Sequence, residues 1–124
     1  MIVFDTSVLI AHLRGVRPAM ELLSRAATQK RAVASVLSRV EIEGGMRSHE
    51  RGDVARLLGR LRLEPVSDEI AARAAAYLRT HRRSHAGIDM FDYVIAATAD
   101  VLGADLLTLN VRHFPMFKRL RPAF

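Results

Sequence analysis

Cysteine is absent from the 124 residues, which removes disulfides and thiolate metal sites and suits a reducing compartment. Long hydrophobic runs are absent as well. No stretch approaches the ~18 apolar residues of a membrane span. The opening MIVFDTSVLIAHLRG carries Asp5 in its middle and no basic leader, so it does not read as a signal peptide. A cytoplasmic location is the expectation. There is no Gly-rich loop after the first apolar run, which argues against a nucleotide-binding doubly wound domain. Nor is there an internal repeat, low-complexity tract or linker, and the length fits one domain over residues 1–124.

Acidic residues are scarce in two places. None lies between Glu69 and Asp89, a stretch that holds Arg73, Arg79, Arg82 and Arg83. None follows Asp105, where Arg112, Lys118, Arg119 and Arg121 stand. The whole chain carries 19 Lys+Arg against 13 Asp+Glu, a formal charge of +6. Nearly all the cations are arginine, which suits phosphate recognition and equally a GC-rich coding composition. Two basic stretches in one domain point toward a polyanionic partner.

What is present has the rhythm of a layered α/β protein. Ile2-Val3-Phe4 reads as a buried strand ended by Asp5-Thr6-Ser7 at a helix start. Pro18 opens a second helix through about Ala27, and Ala32-Val33-Ala34 is a second strand. Ser38 opens a helix toward Gly44-Gly45. A further helix spans about Glu50 to Leu61, followed by a short strand at Leu63 that ends at Pro65. Ile70, Ala74, Tyr77 and Leu78 define an amphipathic helix from Ser67 to about Arg83. Phe91, Val94, Ile95, Thr98, Val101 and Leu102 repeat that pattern, with Gly103 as its stop. Leu106 to Leu109 is the last strand. Strands alternating with helices predict an α/β/α sandwich around a mostly parallel sheet. Ligands in such sheets bind beyond the carboxyl ends of the strands, where Asp5 and Asn110 are expected.

Three acids sit in apolar surroundings, and each has an alternative role. Asp5 is placed to cap the following helix. Ser38-Arg39-Val40-Glu41 spells a capping box, in which Glu41 would bond back to the backbone of Ser38. Asp92 suits the first turn of its helix, where it meets the dipole. Were the three to converge, each pair would repel by about 4 kcal/mol at ~4 Å and an effective dielectric of ~20. A divalent cation is the natural offset. The histidines His12, His49, His81, His85 and His113 are scattered and mark no acid–base site, although His113 adjoins the segment of Asn110.

DTSVLI, SVLSRVEIEGG and DYVIAATADVLGADLLTLNVRHFPMF together resemble the motifs of PIN-domain nucleases, in order and across nearly the whole chain. Within that family the LLTLNVRHF ending is most similar to VapC-type toxins of bacterial toxin–antitoxin pairs. The resemblance implies a compact sandwich and a Mg²⁺- or Mn²⁺-dependent endoribonuclease, dimeric and inhibited by a cognate antitoxin. It places the functional acids at Asp5, Glu41 and Asp92, which would hold the metal, with Asn110 at a fourth position that is often aspartate in the family. Asp89, three residues before Asp92, is either a substitute for that missing charge or the N-cap of its helix. Thr6, Ser7 and Thr108 are candidates to orient carboxylates or waters. Two alternatives remain open: a PIN-fold nuclease of RNA maturation rather than a toxin, and a non-catalytic RNA-binding module.

Overall fold

The computed structural model describes residues 1–85 and 87–124. Four strands, β1 (Ile2–Phe4), β2 (Ala32–Ser35), β3 (Arg62–Glu64) and β4 (Asp105–Leu107), form a sheet in the order β3-β2-β1-β4. All three pairings are parallel, with Val3 opposite Val33 and Leu106, and Ala34 opposite Leu63.

Side chains alternate across a strand, and here the alternation sorts the core into two layers. Phe4, Ala32 and Ala34 face a cluster with Val8, Leu9, Leu23, Ile42 and Leu57. Those residues come from α1 (Thr6–Leu13), α2 (Arg17–Thr28), α3 (Val36–Gly45) and α4 (Arg51–Gly59). Val3, Val33 and Leu106 point the other way, onto Ile95, Ala96, Ala99 and Phe114. There α6 (Met90–Leu102) lies against the sheet, and α5 (Asp68–His81) covers α6 through Ile70, Ala74, Tyr93, Val94 and Ala97. The expected α/β/α sandwich is formed, with every strand parallel. Burying each large side chain of these clusters contributes about 1.5–3 kcal/mol.

The local reasons for the elements are mostly those the sequence suggests. Pro18 occupies the first turn of α2, where its missing N–H costs nothing. Ser67 caps α5 by accepting from Ile70 N at 3.1 Å, and Gly103 ends α6 in the left-handed conformation, φ 62°. Three expectations are corrected. The helix expected from Ser38 begins at Val36, capped by Ser35, whose hydroxyl accepts from Leu37 N; Ser38 is wholly buried inside it. The last strand ends at Leu107, so Thr108 and Asn110 belong to the loop beyond it. And α6 is not one-faced: Tyr93 through Ala99 are all buried, because α5 and the sheet enclose it from two sides.

The chain runs β1, β2, β3 toward one edge and then returns to place β4 on the other side of β1. The sense of progression therefore reverses between β1 and β4. A crevice opens at the carboxyl ends of such strands, and Asp5 and Thr108 are the first residues beyond them.

Candidate functional site

Asp5 is 3% exposed and holds the N-cap position of α1, yet its side chain makes no capping hydrogen bond. Its carboxylate is committed elsewhere. Ser7 Oγ donates to Asp5 Oδ2 at 2.7 Å, and Thr108 Oγ1 donates to the same oxygen at 2.8 Å. Each hydroxyl is itself fixed by a backbone donor. Leu109 N gives to Ser7 Oγ at 3.0 Å and Asn110 N to Thr108 Oγ1 at 2.9 Å. The loop after β4 thus threads its amides through two hydroxyls onto one carboxylate oxygen.

Glu41 projects from the second turn of α3. Its Oε1 accepts from Thr6 Oγ1 at 2.7 Å, and Thr6 Oγ1 lies 2.9 Å from Ser38 Oγ. A hydroxyl has one proton to give, so with Thr6 donating to Glu41, Ser38 donates to Thr6. The expected Ser38 capping box is replaced by this relay, in which Ser38 and Glu41, three residues apart on one helix face, both serve Thr6. Burial raises the Glu41 carboxyl above its usual range. The Thr6 hydrogen bond works against that rise, and the charges of Asp5 and Asp89 add to it.

Asp89 and Asp92 make a reciprocal cap at the start of α6. Asp89 Oδ1 accepts from Phe91 N at 2.8 Å, and Asp92 Oδ2 accepts from Asp89 N at 3.2 Å. Asp89 is thus the N-cap of α6, and it also lines the cleft. Asp92 is pushed from 3.8 up to about 6. Burial is the main cause, with Asp5 and Asp89 adding repulsion and the Asp89 amide and His113 opposing it. His113 Nδ1 stands 3.2 Å from Asp92 Oδ2. The sequence marks His113 only by its position just after Asn110. The short helical turn Val111–His113 is what carries it back over the first turn of α6.

Asp5, Glu41, Asp89, Asp92 and Asn110 line one cavity of about 610 Å³, together with Thr6, Ser7, Arg14 and His113. The four carboxylates come from the strand–helix junction after β1, the second turn of α3 and the start of α6. Asn110 is exposed at the rim. Asp5 and Asp89 both raise Glu41 and Asp92, so these groups feel one another's charge, the condition that a bound cation relieves. All the carboxylate and amide donors are oxygens, which suits a hard divalent ion. Among the described residues no three acids or histidines are already gathered as a cage. An ion that keeps several waters and touches one or two carboxylates fits this open arrangement.

The first basic stretch lies elsewhere. Arg79, Arg82 and Arg83 are exposed at the end of α5. Arg73 is not spare, because it pairs with Asp100, which also accepts from Tyr77 Oη at 2.7 Å. No helix among the described residues is long and apolar enough to cross a membrane.

The chain is similar to known proteins along its whole length. It is 51% identical over 124 residues to ribonuclease VapC10 of Mycobacterium tuberculosis, covering all of this chain and 93% of that protein. It is 41% identical over 125 residues to ribonuclease VapC19 of the same organism, covering the full length of both. A toxin–antitoxin complex from Klebsiella pneumoniae has the same fold at TM-score 0.80 with 22% identity, over 100% of this chain and 98% of that one. The PIN domain family matches residues 2–120. This chain belongs to the PIN-domain family.

Proposed function

We propose that this chain is an endoribonuclease that hydrolyses RNA phosphodiesters at the acid-lined cleft, and that it is the toxin of a toxin–antitoxin pair. The observation that carries the reading is the gathering of Asp5, Glu41 and Asp92 at one cleft in a chain 51% identical along its whole length to a ribonuclease. Asp5 and Asp92 would hold a divalent ion, Mg²⁺ or Mn²⁺, with Glu41 either a further ligand or the acceptor of a proton from water. When bound, the ion supplies charge neutralisation for the phosphoryl oxygens and a more acidic water.

The side chains divide the remaining tasks. Ser7 and Thr108 fix Asp5 Oδ2, which leaves the orientation of that carboxylate no freedom to follow solvent. Glu41, raised above the ordinary carboxylate range, is suited to take a proton from an attacking water, because a base works best when its pKa approaches the working pH. The Ser38–Thr6 relay holds its Oε1 and leaves the other oxygen for that task. Asn110, at the rim, offers an amide to a phosphate oxygen or to water. His113 steadies Asp92.

The likeness to a toxin–antitoxin complex supports a cognate antitoxin as partner, and a homodimer and cytoplasmic location belong to the same reading. The test is cleavage of single-stranded RNA by purified protein, with Mg²⁺, with Mn²⁺ and with chelator, beside Asp5→Ala. Metal-dependent cleavage lost in the variant is the expected result. Cleavage unaffected by chelator or by Asp5→Ala would overturn it.

A further inference from the structure

An acid-lined cleft repels the polyanion it is meant to cut, and a divalent ion offsets only part of the charge of four carboxylates, which leaves a use for a further cation on the same wall. Arg14 is placed for it. It is the C-cap of α1, at the opposite end of the helix whose N-cap is Asp5, and it lines the same cavity as the four acids.

Its place is set firmly. Gly15 adopts φ +79°, Gly15 N bonds to His12 O at 3.0 Å, and Val16 N bonds back to Ala11 O at 3.0 Å. These two bonds close the helix in a Schellman turn, which only a residue free to take positive φ completes without strain. Nine positions of helix separate Arg14 from Asp5, about 13 Å at ~1.5 Å per residue. Its backbone therefore stands off from that of Asp5, while its side chain lines the same cavity as the acids. Arg14 is exposed and takes part in none of the ion pairs among the described residues.

A second depression shares the wall formed by Ile10, Arg14 and Glu41 and continues past Ile42 and Met46 to Arg47. Arg47 is exposed as well and is likewise outside those ion pairs. Two arginines thus follow one another along a path that leads from the Asp5–Asp92 cleft past Glu41, with Glu50 at its far end held by Arg47 N. Planar guanidinium groups grip phosphate oxygens in pairs.

We propose that Arg14 and Arg47 form a track for the RNA strand, holding phosphates that flank the scissile one between α1 and α3. The inference rests on the ribonuclease reading above. In the metal-loaded protein with a single-stranded oligoribonucleotide, Arg14→Gln raises KM about tenfold, as expected when one charged hydrogen bond is removed, and leaves kcat within about twofold. The slope of log K against log salt, measured for oligoribonucleotide binding, falls by about 0.7 for each phosphate no longer held. Arg47→Gln acts in the same direction, and the double variant adds the two. Arg14→Lys recovers part of the affinity because it keeps the charge. Melting temperatures stay at the parent value. A parent that cleaves RNA while Arg14→Gln keeps its KM and salt slope would overturn the track and leave the ribonuclease reading intact. So would a fall in kcat together with melting temperature, which marks a structural arginine. A parent without RNA cleavage would remove both readings together.

Discussion

Two charged regions of this molecule are built in opposite ways. At the end of α5, Arg79, Arg82 and Arg83 extend into solvent, where water solvates them and their position costs the fold almost nothing. In the cleft, Asp5 is nearly buried, Asp92 is pushed up to about 6, and Glu41 is raised by burial and by its neighbours. Charges kept against burial and mutual repulsion need specific support, and here that support is visible as hydroxyls and backbone amides aimed at individual oxygens. Charge that a fold stabilises at its own expense is the stronger sign of chemistry. An exposed arginine cluster is compatible with many uses or with none.

The sharpest way to break this contrast is to neutralise the cleft. Asp5→Asn or Asp92→Asn should lower RNA cleavage by about a thousandfold or more, since a metal ligand is worth several kcal/mol and each ~1.4 kcal/mol is tenfold. Asn at position 5 can still accept the Ser7 and Thr108 hydrogen bonds, so far-ultraviolet circular dichroism should match the parent. Full activity of either variant in Mg²⁺ would contradict the assignment.

Glu41→Gln comes next. Gln presents an oxygen to Thr6 just as Glu does, so the relay through Ser38 survives and the melting temperature should barely move. Cleavage should fall by about a hundredfold or more, because a positioned acid–base group contributes ~10²–10⁴. A lower melting temperature with activity retained would make Glu41 a structural residue.

A quieter effect is the pH dependence of the metal-free protein. The Asp92 carboxyl binds its proton more tightly in the folded chain than in the unfolded one. Its contribution to stability is therefore complete below about pH 4 and is lost as pH rises through about 6. Glu41 works in the same direction. Thermal melts of parent and Asp92→Asn from about pH 4 to about pH 7 should show the parent losing ground relative to the variant as pH rises. Parallel curves would mean that neither burial nor the neighbouring acids raise the Asp92 carboxyl.

The smallest effect is expected at α5. Arg82→Gln with Arg83→Gln should weaken RNA binding modestly and reduce its salt slope by about 0.7 for each phosphate these arginines hold. Cleavage at saturating RNA should change much less than affinity. An unaltered slope and affinity would leave them as solvated surface charge.

How much of this is legible in the sequence depends on the range of the interaction. Asp89 as a cap, Gly103 as a stop and Pro18 at a first turn are local matters, and the residue types announce them. The S-x-x-E at Ser38 misleads for an equally local reason. Ser35 and Ser38 stand three residues apart and either can cap, and only the extension of β2 through Ser35 decides between them. The three acids are visible as acids in apolar company, but their meeting at one cleft depends on the strand order. The contacts of His113 with Asp92 and of Arg73 with Asp100 join separate elements, and no spacing reports them.

The hydrogen bond between Thr108 and Asp5 spans 103 residues of chain, and β4 joins β1 across the same interval. Long loops close late, because the entropy of bringing their ends together is lost before any contact returns it. Leu107 and Leu109 pack against the Phe4 layer, and the carboxylate of Asp5 takes the Thr108 hydrogen bond only when the 105–110 segment is in place. Assembly of the cleft is thereby tied to a pairing between the two ends of the chain's sequence. A chain in which that pairing has not formed keeps its acids but lacks the hydrogen bond by which Thr108 orients Asp5.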